Sequence, residues 1–102
     1  MRLMVFFDLP VKSKLSRRHY QQFHKFLIKD GYVMMQFSVY TRIVNGLDGL
    51  DKHMKRLRAN LPPKGHVRAM SITEKQYADM HFLVGRPTAQ EETVGAQLQM
   101  RL

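Results

Sequence analysis

Apolar and polar positions recur along this chain with two different periods, and the changes of period mark its elements. Leu3, Val5, Phe7 and Leu9 are apolar at every second position, and Arg2, Met4, Phe6 and Asp8 interleave as a mixed set. A period of two carried by Val and Phe predicts a strand over 3–9 with one fully buried face. Pro10 ends it, because proline cannot donate to a sheet ladder. The period then lengthens. Tyr20, Phe23, Phe26 and Leu27 fall on one side at helical spacing, with Lys14, Arg18, Gln21, Lys25 and Lys29 opposite. This predicts a helix over 13–30, capped by Ser13 or Ser16 and stopped by Gly31.

Period two returns from Tyr32 to Val44. The odd positions Val33, Met35, Phe37, Val39 and Ile43 are expected in the core, and the even positions Tyr32, Met34, Gln36, Ser38, Tyr40 and Arg42 on the other face. The run is long for one strand, so a bulge or bend is expected near Gln36. Leu47, Leu50, Met54, Leu57 and Leu61 then predict a second helix over 47–61, between the Asn45-Gly46 turn and Pro62-Pro63. Residues 67–72 read as a strand, 73–80 as one helical turn, and 81–84 as a short strand broken by Gly85-Arg86-Pro87. The end, 97–102, alternates cleanly and predicts an edge strand that needs another chain to pair with.

Strand, helix, strand, strand, helix, strand is the α+β, ferredoxin-like βαββαβ plan: an antiparallel sheet with two helices on one face. Residues 1–85 form that domain, and 86–102 form a C-terminal tail with an extra edge strand. The even faces, with Met4, Phe6, Met34 and Tyr40, then lie where no helix covers them. A half-apolar open face predicts a homodimer packed sheet to sheet. In the tail, Leu98, Met100 and Leu102 are the partner-binding positions.

Charge adds the class of partner. The 102 residues hold 17 Lys or Arg against 8 Asp or Glu, a formal charge of +9. From Pro10 to Lys29, and again from Lys52 to Arg68, every charged residue is basic. Solvated helix faces usually carry mixed charge, so single-sign faces on both helices point to nucleic acid. The expected contacts are to duplex phosphates, through Lys12, Lys14, Arg17, Arg18, Lys25, Arg42, Lys52, Lys55 and Arg56. The chain has no cysteine, which excludes a disulfide framework, a cysteine zinc site and a cysteine nucleophile. The apolar run 3–7 is too short for a signal segment or a membrane span, so a cytoplasmic protein without a membrane partner is expected. No histidine pair has zinc-motif spacing.

Asp8 is the first acid of the chain, placed where a core strand ends beside a long basic stretch. A carboxylate there can hold a divalent cation against a phosphate, provided a two-fold axis brings in a second Asp8. A cap on the following loop and a salt bridge to Arg42 are the structural alternatives.

Arg2-Leu-Met-Val-Phe-Phe-Asp8-Leu-Pro10, Phe26-Leu-Ile-Lys-Asp-Gly-Tyr32 and Gln36-Phe-Ser-Val-Tyr-Thr-Arg42 resemble the CRISPR-associated protein two family, the small spacer-acquisition subunit, in its type II-like form. His81-Phe-Leu-Val-Gly-Arg-Pro87 is similar to the same family. The resemblance implies a ferredoxin-like dimer that bridges dimers of a larger CRISPR integrase subunit, which performs the integration chemistry. The complex would take duplex DNA as protospacer and insert it into the CRISPR array. It also implies a metal-dependent endonuclease acting on RNA or duplex DNA. Asp8 matches the family's metal-binding catalytic aspartate, with magnesium as the cofactor and manganese as the alternative. A DNA-binding scaffold, a metal-dependent endoribonuclease and an RNA-cleaving toxin of similar fold are therefore the function classes, and dependence on Asp8 separates scaffold from nuclease.

Overall fold

In the computed structural model, residues 1–94 are described. Four strands, β1 (Arg2–Asp8), β2 (Val33–Gln36), β3 (Val39–Ile43) and β4 (His66–Ile72), alternate with helices α1 (Lys14–Lys29) and α2 (Gly46–Arg58). The sheet runs β2-β3-β1-β4 with every neighbouring pair antiparallel. This is the expected ferredoxin-like arrangement. A one-turn helix, α3 (Glu74–Ala78), follows β4, and residues 89–94 are helical. No helix among the described residues is long and apolar enough to cross a membrane.

The helices form where local chemistry allows them to start. Ser13 caps α1 by accepting from the Ser16 amide, and Ser16 reciprocates toward the Ser13 amide, so two otherwise orphaned donors are satisfied. Thr73 and Gln76 make the same reciprocal box at α3. The core lies between the helices and one sheet face. It joins Leu3, Val5 and Phe7 of β1 to Phe23 and Leu27 of α1, Leu57 of α2, and Tyr32, Tyr40 and Val44.

Tyr40 belongs to that core, which reverses the facing expected for β2 and β3. Register decides the matter. Val5 pairs with Tyr40 and Leu3 with Arg42, so the even positions of β3 share the helix-covered face with the odd positions of β1. Met34 pairs with Tyr40 and follows it inward, where it packs against the core. The Tyr40 hydroxyl completes the inversion with a 2.7 Å hydrogen bond to His24 Nδ1 on α1. The expected bend is a hairpin turn at Phe37-Ser38, with Ser38 at φ 66°, and a register shift between Met34 and Gln36. One strand's parity therefore could not be carried to the next. Met34 and Tyr40 do not lie on the open face.

That face is also less open than expected. Residues 73–94 cross it from β4 toward β2. Tyr77 receives the Arg2 guanidinium on its ring, 3.6 Å from the centroid, and its hydroxyl donates to Glu91. Gln90 accepts from the Met34 amide at 2.9 Å, and the Thr88 hydroxyl donates to the Met34 carbonyl at 2.7 Å. Met4, expected to be wet, is only 5% exposed.

Two local expectations fail. Residues 81–84 form no strand; they are a bend, and Val84 is 93% exposed. The second helix ends at Arg58, three residues before Leu61, and Leu47 in its first turn is 74% exposed. The tail begins as a helix, because Thr88 and Glu91 form a capping box: the Thr88 amide donates to Glu91 and the Glu91 amide to the Thr88 hydroxyl. The expected strand at 97–102, with Leu98, Met100 and Leu102, lies outside the described residues.

Candidate active site and nucleic-acid interface

Asp8 ends β1 on the open face. Its register partner is His66, the first residue of β4, and Phe6 pairs with Arg68. Residues directly opposite in an antiparallel pair share a face with Cβ atoms about 5 Å apart. Asp8, His66 and Arg68 therefore form a small polar group at one end of the open face, and all three are exposed. The turn residue Phe37 stands at the same end, since the Phe7 amide donates to the Ser38 carbonyl at 3.1 Å. Its ring is exposed and stacks on Tyr20 with centroids 6.4 Å apart.

The backbone beneath Asp8 is pinned by Gly65. Gly65 sits at φ +99°, and a Cβ there would fall 2.7 Å from the Asp8 carbonyl oxygen and 2.7 Å from Leu9. Only glycine allows the chain entering β4 to pass so close to the end of β1. Among the described residues, no ion pair or side-chain hydrogen bond engages the Asp8 carboxylate. The bridge to Arg42 does not form. Arg42 pairs with Leu3, five residues back along β1, and lies on the opposite face.

The expected phosphate-binding residues separate into groups. Lys12, Lys14, Arg17 and Arg18 are exposed in the loop after β1 and the first turns of α1, on the Asp8 side of the fold. Arg17 steadies that loop by donating to the Val11 and Lys12 carbonyls at 3.3 and 3.4 Å. Lys25 continues the exposed stripe further along α1, and Lys52 is exposed on α2. Lys55 is exposed but pairs with Asp51 at 3.0 Å. Arg42 and Arg56 are also engaged by the fold. Arg42 is half-buried and donates from Nε to the Ile43 carbonyl and from Nη1 to the Asp30 carbonyl, while its Nη2 makes no hydrogen bond among the described residues. Arg56 pairs with the buried Asp30 carboxylate, which also bonds His53 Nδ1 at 3.3 Å. These two arginines brace the fold.

His66, Arg68 and Phe37 are the residues that sequence reasoning missed. Cross-strand register brings the first two to Asp8, and spacing along one strand does not reveal it. Among the described residues no group of three or more His, Cys, Asp or Glu is gathered to hold a metal. One chain therefore offers an incomplete donor set at Asp8. A carboxylate from each of two copies, with phosphate oxygens and waters, would suit a hard cation such as magnesium.

Residues 1–80 match the family model described as CRISPR associated protein Cas2. The chain belongs to the Cas2 family. The CRISPR-associated endoribonuclease Cas2 of Acidovorax ebreus (strain TPSY) is 59% identical over 96 residues, covering 94% of each chain. The protein of the same name from Ligilactobacillus salivarius (strain UCC118) is 46% identical over 86 residues, 84% of this chain and 85% of its own. That of Treponema denticola (strain ATCC 35405) is 46% identical over 85 residues, 83% of this chain and 84% of its own. The match to the Cas2 family covers the whole βαββαβ unit, including Asp8 and Gly65.

Proposed function

We propose that this chain is a small CRISPR adaptation subunit that works as a two-fold dimer, with magnesium-dependent endonuclease chemistry centred on Asp8. The observation that carries the reading is the Asp8 carboxylate itself. It ends a core strand, is exposed, and has no internal partner among the described residues. A structural aspartate would be spent on a cap or an ion pair; this one is free for a ligand. The relatives are named endoribonucleases, which favours RNA as the substrate that is cut.

In this reading, Asp8 from each of two copies holds the cation. A bound divalent ion would polarise a phosphoryl oxygen and activate a water. Arg68 beside Asp8 and the lysines and arginines of the α1 start hold the phosphates on either side of the cut. The same basic stripe binds duplex DNA when the dimer serves as the bridge between integrase dimers.

A second reading, a scaffold without cleavage, is favoured by the incomplete donor set of the single chain. Asp8→Asn separates the two, because it keeps the shape and removes the charge. The nuclease reading expects magnesium-dependent RNA cleavage to disappear in that variant, with duplex binding retained. Cleavage at full rate in Asp8→Asn would overturn it. Spacer acquisition that persists in the same variant would assign adaptation to the scaffold alone.

A further inference from the structure

At the end of β1 remote from Asp8, a cavity of ≈ 420 Å³ opens between the end of β3 and the start of α2. The two ends of β1 are ~20 Å apart, at the rise of an antiparallel strand. The cavity is lined by Arg2, Thr41, Arg42, Lys52 and His53, and no acidic side chain lines it among the described residues. It comes about because β2 begins only at Val33, paired with Thr41. The segment Arg42–Val44 therefore runs on past the start of β2 with no strand outside it among the described residues.

The charges on these walls are only partly answered from within. Arg2 is buried and gives its Nε to the Glu74 carboxylate at 3.1 and 3.0 Å. Arg42 donates to two backbone carbonyls, those of Ile43 and Asp30, and to no carboxylate. Lys52 is exposed and enters no ion pair among the described residues. The one nearby acid, Asp30, is already engaged by Arg56 and His53. His53 registers the resulting field: burial lowers its pKa and the charges of Arg42 and Lys52 lower it further, against the pull of Asp30. Arg42 and Lys52 thus face the recess with no carboxylate of their own, and an anion would answer them.

We propose that this cavity binds a phosphomonoester, with its phosphate held by Arg42 and Lys52. Arg42 keeps Nη2 without a partner among the described residues, and Lys52 adds a mobile point charge, so two cationic donors face a phosphate dianion. The volume falls within the range of small-ligand sites and exceeds what inorganic phosphate needs, so it admits a nucleoside monophosphate. A recess of this shape takes a terminal phosphate, whereas the middle of a nucleic-acid strand would lie across the outer surface. The source is therefore a free nucleotide or the phosphorylated end of a strand. The site is independent of Asp8.

The test is calorimetric titration of the full chain with inorganic phosphate, adenosine 5′-monophosphate, and one short oligonucleotide bearing either a 5′-phosphate or a 5′-hydroxyl. Each is compared with chloride at equal ionic strength. Lys52→Gln is the main variant, because the side chain is exposed and its loss leaves the core intact. Lys75→Gln removes the same charge from α3, outside the basic stripe, and serves as control. Lys52→Gln should weaken phosphate and nucleotide binding about tenfold, as expected for one charge-assisted contact, and Lys75→Gln should leave it within about twofold. Arg42→Gln, checked for folding by circular dichroism, should weaken it at least as much as Lys52→Gln. Tighter binding of the 5′-phosphorylated strand than of the 5′-hydroxyl strand would identify a nucleic-acid end as the source; equal binding of the two, with the nucleotide still bound, would identify a free nucleotide. No phosphate response beyond that of chloride, or equal losses in Lys75→Gln and Lys52→Gln, would overturn the proposal. Lys52→Gln is read by phosphate binding without divalent cation and Asp8→Asn by cleavage in its presence, so failure here and failure of the nuclease reading are distinguishable.

Discussion

Tyr32 buries its hydroxyl where no described residue bonds it. Burial, reinforced by the Asp30 charge, pushes its pKa up to about 12. A hydroxyl without a partner opposes folding, so Tyr32→Phe should leave stability unchanged or raise it by up to about 1 kcal/mol in denaturant unfolding. Asp30, its neighbour, behaves in the opposite way. Its carboxylate takes both Arg56 and His53. Removing it should cost about 2 kcal/mol, a value held down because Arg56 is half exposed and keeps its hydration. His53 couples this cluster to pH. Burial first, then Arg42, hold its pKa below the ordinary histidine value, with Asp30 opposing. The unfolded chain therefore takes up a proton that the folded chain resists. Stability should rise with pH through the unfolded histidine range and fall as pH drops below about 6.5. Thermal melts between pH 5 and pH 7.5 should show that slope, and His53→Gln should flatten it. None of this cluster was legible in the sequence, because Asp30, His53 and Arg56 meet only once α1 and α2 are packed side by side.

Elements with a single dominant period were legible, and elements whose facing depends on a neighbour were not. The three-four spacing of α1 and α2 survived into the structure because each helix buries one stripe whatever it packs against. In β2 and β3 the alternation was real, but the hairpin and its bulge reset which half faced inward. The helix after Thr88 had a readable signal, since Thr88-Ala-Gln-Glu91 has the spacing of a capping box. The short strand read at 81–84 failed because its apolar residues find no neighbouring strand among the described residues. Gly65 is where an element's placement turns on one atom. Gly65→Ala would combine a positive φ with contacts of 2.7 Å to Asp8 and Leu9. It should destabilise the fold by about 1–3 kcal/mol and shift the end of β1, so lost cleavage should accompany a lower melting temperature.

Across the whole molecule, positive charge is spread over both ends. The Asp8 end carries Lys12, Lys14, Arg17, Arg18, His66 and Arg68, while the far end carries Arg2, Arg42 and Lys52. A phosphate-tracking surface should show little sequence preference and a steep salt dependence. If about six phosphates are neutralised, the log–log salt slope for duplex binding should be near −5. Reversing Lys14, Arg17 and Arg18 together should weaken all duplex sequences alike, as measured by fluorescence anisotropy. The two margins of the sheet are also unequal. Along β2, the outward amide and carbonyl of Met34 are taken by Gln90 and Thr88, whereas no strand among the described residues lies beyond β4. A sheet with two bare margins can add copies without limit, the geometry from which fibrils grow. With the β2 margin plugged by side chains, strand-to-strand growth has one margin fewer to use. Thr88→Val combined with Gln90→Leu should unplug it and give light-scattering particles larger than those of the parent chain, coarsening with concentration.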